Sequence, residues 1–109
     1  MAQARIPKEK LKIVKDYIER LSKEDNLPIG KVILFGSFAQ GKQRKDSDID
    51  ICIISNKFKN GLKAMQFLWK KRTMQEAMIG LEPVGFSQND FDKGGGLIEE
   101  INRTGILII

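Results

Sequence analysis

The first strong pattern of apolar and polar positions is helical. Between residues 7 and 24, apolar side chains recur at spacings of three and four, at Leu11, Val14, Ile18 and Leu21. This spacing places them on one face of an amphipathic helix. Pro7 suits the first turn of that helix, and the segment from Asn26 to Pro28 ends it. We expect a helix over residues 7–24 whose apolar face packs against the rest of the fold.

Two strands with different patterns follow. After Gly30, the segment from Lys31 to Phe35 is rich in β-branched and aromatic residues, as strands are. Residues 36–46 are predicted to form a loop or a short helical turn. Residues 48–55 then alternate strictly between the two faces of a strand. One face carries Ile49, Ile51 and Ile53, and the other carries Asp48, Asp50 and Cys52.

The second half of the chain continues the alternation of helices and strands. Residues 61–79 are predicted to be helical, in one piece or two, with the apolar anchors Leu62, Met65, Leu68 and Trp69. Gly80 ends that run, and residues 81–86 predict a third strand, although Pro83 lacks a backbone donor. A polar loop with three glycines, a helix over residues 97–103 capped by Gly105, and a last strand at 106–109 complete the order. This order predicts one α/β domain over residues 1–109, a mixed sheet of about four strands with helices packed on it.

Composition supports a soluble globular chain and adds little else. Apolar residues make up 41% of the chain and charged residues 30%, and its 109 residues have room for one core. No apolar run approaches the roughly 20 residues needed to span a bilayer, and the N-terminus lacks a signal-peptide core. The single cysteine, Cys52, cannot form an internal disulfide. We therefore expect a cytoplasmic protein.

Charge is distributed unevenly along the chain. The net charge is +5, and residues 57–72 contain six basic residues and no acidic one. Two interpretations stay open: a solvated helix face, or a surface for an acidic partner or for phosphates. Direct nucleic-acid binding is disfavoured, because only three aromatic residues lie in this stretch and they show no stacking pattern.

The acidic face of the second strand is the first candidate for chemistry. Side chains two residues apart on a strand leave the same face, with Cα atoms about 6.5 Å apart, so Asp48 and Asp50 repel each other unless a cation lies between them. Mg²⁺ prefers oxygen ligands and shares them with substrate phosphates. The alternative is an exposed polar face of an edge strand. The isoleucines between and after the two aspartates favour a central, half-buried strand instead.

Gly36 and Ser37 end the preceding strand and form a candidate phosphate site. A glycine there lets a phosphate approach the backbone, where amides and the Ser37 hydroxyl can bind its oxygens. Alone, this dipeptide is a common turn. If the two strands are neighbours, however, the phosphate site and the carboxylates converge at one end of the sheet.

The sequence matches parts of two other motifs, the P-loop and the EF-hand loop, but lacks residues that each of them requires. Gly36 and Gly41-Lys42 have the spacing of a P-loop, but Gln43 stands where that loop needs serine or threonine. Asp46, Asp48 and Asp50 imitate the start of an EF-hand loop. That loop requires glycine at its sixth position and glutamate at its twelfth, which are Ile51 and Lys57 here.

The two-part motif resembles a known family. Gly36-Ser37, ten intervening residues and then Asp48-x-Asp50 are similar to the signature of the DNA polymerase β-like nucleotidyltransferase superfamily. The segment GSFAQGKQRKDSDIDI and the later Gly105-Ile106 most resemble its smallest branch, the minimal nucleotidyltransferases that are commonly paired with a HEPN-domain protein. The resemblance covers most of the chain.

The resemblance implies a third carboxylate on a later strand, and Glu82 is the best match. Pro83 independently favours an extended backbone at Glu82. The resemblance then implies that Asp48, Asp50 and Glu82 hold two Mg²⁺ ions. ATP phosphates would contact Gly36 and Ser37, with further charge from Lys42 and Arg44, although these two cations are equally consistent with solvated loop residues. Many relatives carry arginine where Gln40 stands, which weakens the expected hold on the triphosphate.

The function implied by the resemblance is transfer of a nucleoside monophosphate, AMP from ATP, to an acceptor hydroxyl with release of pyrophosphate. The chain would act as the antitoxin that modifies a HEPN toxin. A cluster of apolar residues offers either core packing or partner docking: Leu62, Met65, Phe67, Leu68 and Trp69. The alternative function is a catalytically silent nucleotide-binding module that neutralises its partner by contact alone. Homo-oligomer formation, the preferred base and the acceptor stay open.

Overall fold

The computed structural model describes residues 6–42, 44 and 47–109. The rest of the predicted loop, residues 43, 45 and 46, lies outside the described residues. The elements follow in the order α1 (Lys8–Glu24), β1 (Lys31–Phe35), α2 (Ser37–Gln40), β2 (Ile49–Ile54), α3 (Gly61–Lys70), α4 (Met74–Met78), β3 (Leu81–Phe86), α5 (Gln88–Lys93), α6 (Gly96–Thr104) and β4 (Ile106–Leu107). Within these ranges no helix is both long and apolar enough to cross a membrane.

The strands form one mixed sheet in the order β3-β2-β1-β4. β1 pairs antiparallel with β2 and β4, whereas β2 pairs parallel with β3. The predicted α/β architecture with a four-stranded mixed sheet is confirmed. In this register Phe35 lies opposite Asp50, and Asp50 lies opposite Glu82. The end of β1 and the starts of β2 and β3 therefore meet at the same end of the sheet.

Helices cover both faces of the sheet, so the strands are buried on two sides. On one face, Ile49, Ile51 and Ile53 pack into a core with α1, α2 and α3. On the other, Cys52 and Ile54 pack into a second core with side chains from α5 and α6. The predicted alternation of β2 is confirmed, and Cys52 is fully buried.

Polar contacts fix α1 against α3 and α4. The Tyr17 hydroxyl donates to the Leu68 carbonyl at 2.6 Å. The Arg20 guanidinium forms two hydrogen bonds to the buried Glu76 carboxylate, at 2.7 and 3.1 Å. Lys71 forms an ion pair with Asp25 at 2.7 Å. The helix predicted over residues 7–24 is therefore held by ionic contacts as well as by its apolar face.

The helical region over residues 61–79 divides into α3 and α4, one of the two predicted forms. Leu68 is fully buried, as an apolar anchor should be. Leu62 is not an anchor, because 63% of its surface is exposed on the outer side of α3. Trp69 is 40% exposed and lies against the edge of the sheet rather than in the core.

The polar loop predicted after β3 is wrong, because α5 occupies most of it. The Ser87 hydroxyl accepts a hydrogen bond from the Asp90 backbone N–H at 3.0 Å and so caps the helix. Phe91 then anchors it in the second core. Gly105 follows α6 as predicted, but in an extended conformation with φ −75°. Glycine is needed there because a Cβ would lie 2.6 Å from Ile33 Cγ2.

Candidate active site

Three carboxylates meet at the end of the sheet where β1 ends and β2 and β3 begin. Asp48 immediately precedes β2, and Asp50 and Glu82 are the second residues of β2 and β3. Asp50 and Glu82 are partners in the parallel register, and neighbouring strands lie about 4.8 Å apart. The Ile49 N–H donates to the Gly80 carbonyl at 2.7 Å, which fixes Asp48 beside the start of β3. Asp48 and Glu82 lie close enough for the charge of Asp48 to raise the pKa of Glu82.

Burial and neighbouring negative charge raise the pKa of two of the carboxylates, Asp50 and Glu82. The pKa of Asp50 is raised from 3.8 to about 6, first by burial and then by the charges of Glu82, Asp48 and Glu100. The pKa of Glu82 is raised first by burial and then by the neighbouring Asp48 carboxylate. Arg72 acts in the opposite direction on Glu82. The site therefore concentrates negative charge that the surrounding chain only partly balances.

Two glycines make room for the aspartates. Gly36 has φ 75°, and a Cβ there would overlap the Oδ2 atom of Asp50. Gly80 has φ 83°, and its Cβ would lie 2.6 Å from the Oδ1 atom of Asp48. Residues other than glycine rarely adopt a positive φ of this kind. Gly36 therefore serves a close approach to Asp50, which the sequence did not indicate, and Gly80 does more than end a helix.

The predicted phosphate-binding residues lie on the loop and short helix after β1. Ser37 begins α2 and is half-buried, next to the Gly36–Asp50 contact. Lys42 and Arg44 are exposed, and no contact among the described residues brings their side chains against the carboxylates. Gln40 is the half-buried last residue of α2.

Two side chains that the sequence did not assign to this site, those of Trp69 and Arg72, hold the outer edge of β3. Trp69 Nε1 donates to the Pro83 carbonyl at 2.9 Å, and Arg72 Nη1 donates to the Leu81 carbonyl at 2.9 Å. The guanidinium lies 4.4 Å from the centre of the Trp69 ring. Both hydrogen bonds flank Glu82. Pro83 was the available signal, because a proline in a strand favours an edge position.

The donor set of the site suits a hard cation. Mg²⁺ binds carboxylate oxygens, and a cation would relieve the repulsion that raises the pKa of Asp50. Among the residues described, no three acidic, histidine or cysteine side chains already surround one point closely enough to hold an ion. The oxygens therefore fit magnesium in their chemistry, and carboxylate side chains would have to turn to close around it.

Comparison with known proteins gives a family model and several relatives. Residues 11–103 match the model described as the nucleotidyltransferase domain. A protein of Methanocaldococcus jannaschii, assigned provisionally as a protein adenylyltransferase, is 40% identical over 45 residues. That match covers 41% of this chain and 45% of the relative, so the chain matches less than half of that protein's length.

Solved structures share the fold at low sequence identity. A provisionally assigned nucleotidyltransferase from Sulfolobus solfataricus is 20% identical with a TM-score of 0.63, over 89% of this chain and 77% of its own. A toxin-antitoxin with AMP-PNP is 20% identical with a TM-score of 0.53, over 85% and 70%. A variant of the toxin-antitoxin MntA-HpeT is 18% identical with a TM-score of 0.53, over 96% and 73%.

Proposed function

The chain belongs to the nucleotidyltransferase domain family, and on that premise we propose that it transfers AMP from ATP to a hydroxyl group of a protein and releases pyrophosphate. The observation that carries the proposal is the register of β1, β2 and β3. It brings Asp48, Asp50 and Glu82 together beside Gly36 and Ser37. The provisional assignment of the Methanocaldococcus jannaschii relative as a protein adenylyltransferase supports both the nucleotide and the class of acceptor.

In the proposed reaction, the acceptor oxygen forms a bond to the α-phosphorus of ATP. The bond from that phosphorus to the oxygen bridging the β-phosphate breaks, and its electron pair leaves with pyrophosphate. The acceptor's proton passes to a carboxylate or to solvent, since the chain has no histidine to receive it. Mg²⁺, two ions in our proposal, would supply positive charge for the phosphates and lower the pKa of the acceptor hydroxyl.

Each part of the chain has a role in this proposal. Asp48, Asp50 and Glu82 would hold the magnesium ions, while Gly36 and Ser37 bind the β- and γ-phosphates and so orient the leaving group. Lys42 and Arg44 would neutralise pyrophosphate as it leaves. Both side chains are long and exposed to solvent. The arginine that many relatives carry at the position of Gln40 is missing here. We therefore expect the triphosphate to be held mainly through the metal.

The proposed biological role is that of an antitoxin that modifies a HEPN toxin in the cytoplasm. Its support is the likeness of the fold to two toxin-antitoxin structures, one of them with AMP-PNP. Modification of a hydroxyl on the toxin would neutralise it covalently. Neutralisation by contact alone would need none of the three carboxylates.

The deciding experiment incubates the protein with α-labelled ATP, MgCl₂ and a HEPN-domain protein encoded beside it, and weighs both chains. We expect the HEPN protein to gain the mass of one or more AMP groups. Asp50→Asn and Glu82→Gln should each lower the rate by about a hundredfold or more, since each removes a charge from the site. Asp92→Asn is the matched control, because Asp92 is exposed on α5.

Two outcomes would contradict the proposal. Normal turnover by both site variants would remove the carboxylates from the mechanism. A partner that is neutralised without any gain in mass would identify a silent binding module instead.

A further inference from the structure

A second concave surface lies at the end of the sheet opposite the carboxylates. This groove has a volume of about 240 Å³ and is formed by the loop after β2, by α3 and by Leu27 in the segment that follows α1. The carboxylates lie at the start of β2, and the groove lies beyond its end. Because β2 has six residues at about 3.3 Å each, the two sites are roughly 20 Å apart. The groove is therefore not part of the site described above.

The floor of the groove is apolar and firmly packed. It is formed by Leu27, Phe58, Ala64 and Phe67. Phe58 and Ala64 are 7% and 3% exposed, and the rings of Phe58 and Phe67 meet edge to face at 6.5 Å. The volume is below the roughly 300–1,000 Å³ of pockets that enclose small-molecule ligands. It suits one or two apolar side chains of a polypeptide better than a nucleotide.

The rim of the groove is basic. Lys57, Lys59 and Lys63 line it, and all three are exposed. No acidic residue occurs between Lys57 and Arg72. Of the ion pairs found in the described part of the chain, none involves these three lysines. The rim thus carries positive charge that the neighbouring sequence does not neutralise.

We propose that this groove binds an acidic segment of a protein partner, with one or two apolar side chains of that segment seated on the floor. Charge complementarity selects the acidic partner, since rim charges steer association and set its dependence on salt. An apolar floor surrounded by a charged rim is the usual form of a protein–protein contact. Nucleic acid fits less well, because Phe58 is too buried to stack on a base.

The proposal does not depend on the transfer of AMP. If the chain is a transferase, the groove holds the acceptor protein while leaving the carboxylates open to ATP. If the chain transfers nothing, the groove still binds. Binding and transfer can therefore be measured, and can fail, separately.

The test uses a short fluorescein-labelled peptide rich in aspartate and glutamate, with leucine and phenylalanine at helical spacing, and follows fluorescence anisotropy. We expect Lys59→Glu/Lys63→Glu to weaken binding about tenfold or more. Lys8→Glu/Lys15→Glu is the matched control, with the same change of net charge on exposed positions of α1, and should retain binding. Affinity for the wild type should fall as salt is raised.

Three results would overturn the proposal. The first is equal weakening by the two double variants, which would show a response to net charge alone. The second is unchanged binding of a peptide whose leucines and phenylalanines are replaced by serine. The third is tighter binding of a single-stranded oligonucleotide than of the peptide, with loss on Lys59→Glu/Lys63→Glu, which would assign the surface to nucleic acid.

Discussion

Gly36 and Asp50 are in closer contact than their separation along the chain suggests. The sequence placed Gly36 where a phosphate could approach the backbone, whereas in the structure its missing side chain leaves space for the Asp50 carboxylate. The two functions are compatible, since a nucleotide held at the end of β1 would lie next to that carboxylate. Gly41 has a similar φ, 71° against 75°, but nothing lies within 4 Å of a Cβ built there.

This pair contrasts a glycine beside the site with one in open space. Their ψ angles differ, −153° at Gly36 and 22° at Gly41, so both backbone strain and overlap with Asp50 act on stability at Gly36, and the loss of transfer reports the overlap. Gly41→Ala should cost about 1–2 kcal/mol of folding free energy, the penalty for a side chain in the left-handed region. Gly36→Ala should cost more than that and should also lose most ATP-dependent transfer, because its Cβ displaces Asp50. Urea denaturation and a transfer assay measure the two effects. Equal stability and equal activity of the two variants would show that Gly36 serves only the turn.

At the scale of the elements, Arg72 and Trp69 stabilise an edge strand that carries a candidate ligand. Their hydrogen bonds satisfy two carbonyls of β3 on either side of Glu82. Edge strands are open to pairing with other chains unless they are covered. The two side chains therefore protect the edge and fix the backbone at Glu82 at the same time.

Arg72→Gln should change the pH dependence of transfer. The charge of Arg72 lowers the pKa of Glu82, which burial and Asp48 raise. Removing that charge raises the pKa of Glu82 further, so the carboxylate stays protonated to a higher pH. The acid limb of the pH–rate profile therefore moves to higher pH. Lys70→Gln, on the exposed side of α3, is the control. A lower rate with an unshifted profile would leave Arg72 a structural role only.

Elements with a periodic apolar pattern could be predicted from the sequence, and those fixed by tertiary contacts could not. α1 and β1 were predicted within a residue or so, because the apolar spacing of α1 and the β-branched content of β1 are strong. β3 was predicted with the same bounds in spite of Pro83, since Gly80 marks where the preceding helical run ends. α5 was missed because five of its six residues are polar or charged and a glycine run follows it. Ser87 as a cap and Phe91 as an anchor stabilise it, together with contacts between its own exposed polar side chains.

The same distinction applies to the candidate site. Asp48 and Asp50 could be paired from strand alternation, and Pro83 indicated an extended Glu82. Their convergence required the parallel pairing of β2 with β3, which no local pattern specifies. The contacts of Gly80 and Arg72 depend on how α3 and α4 pack beside the start of β3. They could therefore not be predicted from the sequence.

The fold places its two candidate surfaces at opposite ends of one sheet. The carboxylates lie where β1 ends, and the basic groove lies beyond the end of β2. A sheet covered on both faces by packed cores can hold a partner at one end while ATP occupies the other. Asp50 belongs to both the fold and the site, because it lies on the face of β2 that carries the second core.

The stability of the fold should therefore depend on protonation and on Mg²⁺ at this site. The pKa of Asp50 rises from 3.8 to about 6 on folding, so the native state binds a proton more tightly than the unfolded chain. Ionisation of Asp50 then costs stability, and the cost grows as pH rises from about 4 to about 6. Asp50→Asn lacks this cost and should melt about 4 °C higher near neutral pH, a shift that corresponds to roughly 1 kcal/mol in a domain of this size.

MgCl₂ should raise the melting temperature of the wild type by binding the native state, and should raise that of Asp50→Asn much less. Scanning calorimetry across pH, with Asp92→Asn as the control, measures both effects. A variant that melts no higher than the wild type at neutral pH, or responds equally to MgCl₂, would contradict the assignment of Asp50 as a strained carboxylate that a cation relieves.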